Sequence, residues 1–140
     1  MKNIQFIEGP LSTSLVSKLI ELNKLQLSTG AYTIFCGQVR ADQVELQKVK
    51  GIEYTIYESM ANKILDEQLD QLKSLYQIQH INVIHSKGFV AVGELSVILF
   101  ITSAHRNQAL EAQQALLPII KFEVPIWKKE ILEDASNRWI

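Results

Sequence analysis

A chain of 140 residues with 47% hydrophobic and 21% charged residues holds enough apolar material for a buried core and too much for a disordered segment. Its net charge of −1 excludes a broad nucleic-acid footprint, so any anion site has to be a local cluster of cations. Cys36 is the only cysteine, which excludes an intrachain disulfide and a thiolate-based zinc site and suits a reducing compartment.

The N-terminal residues lack the apolar core of a signal peptide, and the longest apolar run, residues 95–101, is too short to span a bilayer. The expectation is a cytoplasmic protein without a membrane partner. Residues 1–140 read as a single domain, or as two small lobes sharing one core. Residues 3–8 alternate and predict a strand, closed by a turn at Gly9-Pro10. Ser12 or Thr13 can cap a helix whose Leu15, Val16, Leu19, Ile20 and Leu22 recur at helical spacing. Residues 28–30 break it. Residues 31–39 predict a buried strand with Cys36 as an inert core thiol and Gly37 at a bulge or close approach. Residues 40–51 are polar and irregular and predict a mobile loop.

Residues 52–58 alternate with period two and predict a strand, after which Ser59 can cap a helix carrying Met60, Ile64, Leu65, Leu69, Leu72 and Tyr76. Residues 80–85 predict a strand, residues 86–94 a hairpin region around two glycines, and residues 95–103 a central strand. Ala109, Ala112, Ala115, Leu116, Ile119 and Ile120 mark a third helix, which Pro118 should kink or end. Residues 125–132 form the last strand. Three helices against mixed strands give an α+β fold.

Three stretches depart from a plain core-and-surface pattern. At residues 102–112 a helix starts, with Ser103 as the expected N-cap and His105 and Arg106 in the first turn. Cations there oppose the helix dipole by a few tenths to about 1 kcal/mol, and a bound anion would offset that cost. An Arg106 that simply extends into water explains the residue equally well. Arg40 ends a strand at the mouth of a polar loop, where functional residues gather, although alone it reads as a solvated charge.

The third stretch is Lys121 to Glu130. Strand alternation puts Trp127 and Lys129 on one face and Ile126 and Lys128 on the other, so only one of the adjacent lysines can enter a given pocket. Lys121 suits the negative end of its helix. Alternatively Lys121 and a later lysine converge on a substrate, where burial and a neighbouring cation bring a lysine from about 10.4 toward 7–8 and make it a base or nucleophile. His80 and His85, five apart on a strand, face opposite ways and make no metal pair; no metal site is expected. Glu58 reads as a solvated strand end.

Residues 30–40, 57–61, 102–110 and 121–130, in this order and at these separations, resemble the large, catalytic subunit of molybdopterin synthase. The resemblance rests on Gly30, Ala31, Phe35, Gly37, Val39 and Arg40, on Ser103 to Arg106, and on Lys121, Pro125, Ile126, Trp127, Lys128, Lys129 and Glu130. It implies an α/β hammerhead-like fold with an additional small antiparallel sheet. The implied activity is sulfur transfer to cyclic pyranopterin monophosphate, giving the dithiolene of molybdopterin without a cofactor. The implied partners are a ubiquitin-like carrier with a C-terminal Gly-Gly thiocarboxylate and a second copy of the chain, in a heterotetramer. Lys121 and Lys128 match the catalytic lysines. Arg40, His105 and Arg106 match substrate-binding residues, with Arg138 as a further basic contributor. Phe35, Pro125, Ile126 and Trp127 match the pocket for the carrier tail. The chain departs from the family pattern at Thr55, Ser86, Leu110 and Ser136. Two other readings of the same residues are a non-catalytic partner-binding module with a basic notch and a lysine Schiff-base enzyme for a small phosphorylated carbonyl compound.

Overall fold

A computed structural model describes residues 3–140. Among them the chain forms β1 (Ile4–Glu8), α1 (Ser14–Asn23), β2 (Ala31–Gln38), β3 (Gln43–Val44), β4 (Gln47–Ile56), α2 (Glu58–Tyr76), β5 (His80–Ala91), β6 (Leu95–Ser103), α3 (Arg106–Phe122), β7 (Ile126–Leu132) and β8 (Asn137–Trp139). The strands join in one sheet of order β2-β6-β5-β4-β7-β8, with β1 beside β5 and β3 beside β4. Only the β1–β5 pair is parallel. The fold is α+β, as the element pattern indicates.

The two faces of the sheet are covered differently. Leu65, Leu69 and Leu72 of α2 and Ala109, Ala112 and Leu116 of α3 pack on Ile81, Val83, Leu99 and Ile101. On the opposite face Leu11 and Leu19 pack on Ile84, Ile98 and Phe100, with Leu15, Val16 and Ile20 of α1 around them. Alternate residues of β5 and β6 therefore enter two cores, which is why β6 reads as a nearly continuous apolar run. Each fully buried aliphatic side chain contributes roughly 1.5–3 kcal/mol.

β5 is the strand that positions the site. It pairs with β6 and β1 through residues 80–87 and with β4 through residues 88–91. The change of partner falls at Gly88, which has φ +79° and whose missing Cβ leaves room for the Glu8 carboxylate. The expected hairpin region at 86–94 is thus mostly one bent strand, and the reversal itself is confined to residues 92–94.

Other expectations are corrected. Residues 40–51 are not a loop: Gln43 pairs with Lys48 and Val44 with Gln47, around a turn with Glu45 at φ +56°. α2 starts after Tyr57 rather than Ser59. α3 runs through Pro118 to Phe122. Pro118 is exposed, so water can take the Gln114 carbonyl whose helical donor is missing. β8 follows β7, so residues 125–132 are not the last strand. β2 is an edge strand with no buried residue, and Cys36 is exposed rather than a core thiol. No helix among the described residues is long and apolar enough to cross a membrane.

Candidate active site

β7 lies between β4 and β8, and its register sets the chemistry. Tyr54 stands opposite Lys128, Glu53 opposite Lys129 and Ile52 opposite Glu130; on the other side Glu130 stands opposite Arg138 and Lys129 opposite Trp139. Lys128, Glu130 and Leu132 share the inward face, where Glu130 is 4% and Leu132 8% exposed. Trp127 and Lys129 share the outward face; Trp127 is half exposed and the Lys129 ammonium lies 4.8 Å from the Trp139 ring centre. The alternation of a strand thereby selects Lys128 over Lys129.

Lys128 is half-buried, and burial first, then the positive charge of Lys121, hold its pKa below the ordinary lysine value. Lys121 occupies the last turn of α3, with Nζ 5.3 Å from the Phe122 ring centre. The connection between the two lysines is short and pinned. Glu123 and Val124 both donate their N–H groups to the Ile119 carbonyl, and the Tyr57 N–H donates to the Pro125 carbonyl at 3.2 Å. Phe35 and Ile126 pack half-buried against the α2–α3 core beside this turn. Trp127 backs the strand from the face opposite Lys128.

Two ion pairs adjoin the lysines. Arg138 donates Nε–H to the buried Glu130 carboxylate at 2.7 Å. Arg40 donates from Nε and Nη2 to Asp42 at 2.6 and 3.2 Å. The bond with Asp42 is the main reason the Arg40 pKa is raised, and Glu130 adds to it; the same bond is the main reason the Asp42 pKa is lowered, and Arg138 adds to that. The long-range effects join the two pairs into one neighbourhood. Arg40 and Arg138 thus share one neighbourhood with Asp42 and Glu130, and Lys128 borders it two residues before Glu130 on the same face of β7.

His85 belongs to this neighbourhood, although the sequence reading gave it no role beyond excluding a metal pair. It is 4% exposed, its Nδ1 lies 2.8 Å from the Ser86 carbonyl, and its ring meets Tyr54 edge-on at 5.1 Å and 79°. Its pKa is lowered to about 4, by burial above all, with the Lys128 charge adding and the Ser86 carbonyl opposing. The available signal was a histidine directly after the apolar pair Val83-Ile84 of a strand. Tyr54 beside it is raised by burial, against a hydrogen bond with Ser96. His80 is exposed.

His105 and Arg106 stand elsewhere. His105 itself, not Ser103, is the N-cap residue of α3; the Ser103 hydroxyl donates to the His105 carbonyl at 2.6 Å and Gln108 accepts from the His105 N–H at 3.4 Å. Both side chains are exposed. At about 1.5 Å per residue, Arg106 and Lys121 are roughly 22 Å apart along one helix. One chain does not bring them together. A recess of about 350 Å³ between α1 and β2, lined by Ile20, Leu27, Gly30 and Tyr32 among others, contains none of the expected site residues. Among the described residues no three His, Cys, Asp or Glu side chains gather as a metal site.

The profile of the MoaE protein family matches residues 7–123. The chain belongs to the MoaE family. The bovine molybdopterin synthase catalytic subunit is 37% identical over 136 residues, which cover 97% of this chain and 69% of that protein. The solved molybdopterin synthase of Staphylococcus aureus is 28% identical, with a TM-score of 0.85 over 100% of this chain and 98% of that one. A chain in the complex of subunits 1 and 2 of the molybdopterin-converting factor from Helicobacter pylori shares the fold, with a TM-score of 0.85 over 99% of this chain and 90% of that one at 23% identity. The function that goes with MoaE membership is that of a molybdopterin synthase catalytic subunit, in molybdenum cofactor biosynthesis. The MoaE residues with the clearest chemical setting are the two lysines that α3 and β7 bring to one corner.

Proposed function

We propose that this chain, as one domain over residues 1–140 in the cytoplasm, moves sulfur from the C-terminal thiocarboxylate of a ubiquitin-like carrier onto cyclic pyranopterin monophosphate. The observation that carries the reading is the half-buried Lys128 with Lys121 beside it at the end of an apolar core. In the first transfer the thiocarboxylate sulfur bonds to an oxygen-bearing side-chain carbon of the pterin as that carbon's C–O bond breaks; the oxygen leaves with the bonding pair and takes a proton, and a thioester joins carrier and substrate. Water cleaves the thioester, releasing the carrier as a carboxylate and leaving the sulfur on the pterin; a second carrier repeats the step. Lys128, with its lowered pKa, is suited to proton transfer, and Lys121 supplies positive charge where the substrate becomes anionic. Arg138 keeps both Nη groups and Arg40 keeps Nη1 outside their carboxylate bonds, so each can still hold a phosphate. The carrier's Gly-Gly tail would approach along Phe35, Pro125, Ile126 and Trp127. The complex of subunits 1 and 2 named for the Helicobacter relative supports a small-subunit partner.

The distance between Arg106 and Lys121 points to a second copy. β2 is a free edge. Its start lies by Ser103, ahead of α3, and its end leads to Arg40. Antiparallel pairing of β2 with β2 of a second copy would set the partner's His105 and Arg106 beside this chain's Lys121, giving two composite sites in a homodimer with a carrier on each. Reconstitution with thiocarboxylated carrier and cyclic pyranopterin monophosphate tests the chemistry. Molybdopterin should form, and Lys121→Ala and Lys128→Ala should each lower the rate by about 10²–10⁴-fold. Formation at the wild-type rate in either variant would sink the lysine assignment. Mixing Lys128→Ala with Arg106→Ala chains should restore up to about a quarter of the activity if sites are shared across a two-fold dimer; no recovery would place His105 and Arg106 outside the site.

A further inference from the structure

We propose that His85 is a positioning residue: with Tyr54 it forms the floor on which the Lys128 side chain rests, and it holds the ammonium at a set depth below the surface. This rests on the reading of Lys128 as catalytic. The Ser86 carbonyl can only accept, so the 2.8 Å contact makes Nδ1 the protonated nitrogen and fixes one tautomer of His85. The ring is 4% exposed and meets the edge of Tyr54, itself 5% exposed. Tyr54 in turn stands directly across from Lys128 in the β4–β7 register, the closest kind of neighbour in a sheet. The three side chains therefore form one stack running from β5 through β4 to β7.

The groups around this stack explain why the floor is a histidine. Lys121 reaches the lysine from α3, Arg138 lies on β8, and Glu130, on β7 itself, is occupied by Arg138. The nearest carboxylate on β1, that of Glu8, lies against Gly88 and is not among the groups that shift His85, whereas Lys128 repels a proton from it, so the ring stays neutral at working pH, in keeping with its pKa of about 4. A leucine would fill the space but leave the Ser86 carbonyl without this donor. A ring bearing one N–H does both tasks. The two rings meet at 79°, so they brace one another beneath the lysine.

Two variants separate positioning from folding. His85→Asn keeps an N–H for the Ser86 carbonyl and deletes the ring; His85→Phe keeps the ring and deletes the donor. Lysines are dimethylated with ¹³C-formaldehyde in the intact protein, Lys128 is assigned by its loss in Lys128→Arg, and each methyl signal is titrated by NMR. In the wild type Lys128 should titrate below the ordinary lysine value. In His85→Asn its midpoint should climb toward that value by at least about 0.5 pH unit, as water reaches the ammonium. In His85→Phe it should stay, while thermal stability falls. A Lys128 midpoint unmoved in folded His85→Asn, or moved equally in both variants, would overturn the proposal. If Lys128→Ala kept synthase activity, the catalytic reading would fail, while the titration would still decide whether His85 sets the depth of Lys128.

Discussion

Replacing Glu130 and Arg138 singly and together measures how firmly β8 is tied to the site. The Glu130 side chain is 5% exposed and that of Arg138 53%, with 2.7 Å between Nε and Oε1. Exposed pairs couple by about 0.2–1 kcal/mol, and breaking a fully buried pair costs about 3–5 kcal/mol. With one partner buried and the other half in water, the coupling belongs between these ranges, at about 1–2 kcal/mol. The single variants should be unequal. Arg138→Met strands a buried carboxylate that cannot turn to water and should cost about 2 kcal/mol. Glu130→Gln keeps an acceptor, and a half-exposed guanidinium recovers its hydration, so about 1 kcal/mol is expected. In a 140-residue chain 1 kcal/mol corresponds to roughly 3–5 °C in Tm. Urea unfolding of the four proteins gives the cycle directly. A coupling under about 0.3 kcal/mol, or a Glu130→Gln variant weaker than Arg138→Met, would refute this account of how β8 is held.

The other expectations concern titration, close packing and the free edge. His85 has a folded pKa of about 4 against 6.5 when unfolded, so the unfolded chain takes the proton first; stability is full above pH 6.5 and is lost as pH falls to about 4. At about 1.4 kcal/mol per pH unit that is about 3 kcal/mol, which urea titrations at pH 7 and pH 4 should find in the wild type and miss in His85→Asn. Because the Lys121 charge helps depress Lys128, Lys121→Met should move the Lys128 midpoint upward toward 10.5 in the ¹³C titration; an unmoved midpoint would separate the two lysines. A Cβ at Gly30 would strike the Ala104 carbonyl, whose backbone cannot give way, so Gly30→Ala should cost about 1–3 kcal/mol by calorimetry. Cys36 should react readily with iodoacetamide in dilute protein and at least about tenfold more slowly once β2 edges pair, because strand pairing narrows access to the edge; an equal rate would argue against that dimer.

Much of the fold was legible because its elements obey simple periods. α1, α2 and α3 carry apolar residues at helical spacing, and residues 97–101 of β6 are apolar without a break because both faces of the strand are covered. The failures have distinct causes. The β3–β4 hairpin escaped because β3 is two residues long and the start of β4 shows a single buried apolar residue, Val49, between two exposed lysines. Gly88 reads as a break but is only the bend by which β5 changes partner. β2 reads as buried because its residues are apolar, although it pairs with a single strand. In the site, alternation put Lys128 and Lys129 on opposite faces, and the family resemblance chose Lys128 between them. His85 stayed hidden because its neighbour Tyr54 is 31 residues away in sequence, and the strand register sets Tyr54 opposite Gly88 rather than His85. The separation of Arg106 from Lys121 was present in the helix length all along, once both residues were placed on the same helix.

That separation also gives Arg106, at the start of α3, a physical reason. Lys121 sits at the negative end of the helix and gains from the dipole, whereas Arg106 sits at the positive end and loses by it. No acidic residue lies in the first turn, and Gln108 supplies a long neutral bond to the His105 N–H. An isolated chain therefore carries an unfavourable Arg106 charge in the exposed region where N-terminal amides favour an anion. In the proposed antiparallel dimer the positive end of one helix lies beside the lysine-bearing end of the other. A phosphate bound there would face amide donors, His105 and Arg106 from one copy and Arg40 and the lysines from its partner. The same anion that offsets the charge at the start of one helix would be the substrate group presented to the lysines at the end of the other. Inorganic phosphate or pyrophosphate should therefore raise Tm in the dimer and should do so less in Arg106→Ala, where the destabilising charge is already gone. An equal rise in both proteins would mean that the anion is held without Arg106, and the helix start would have no part in the site.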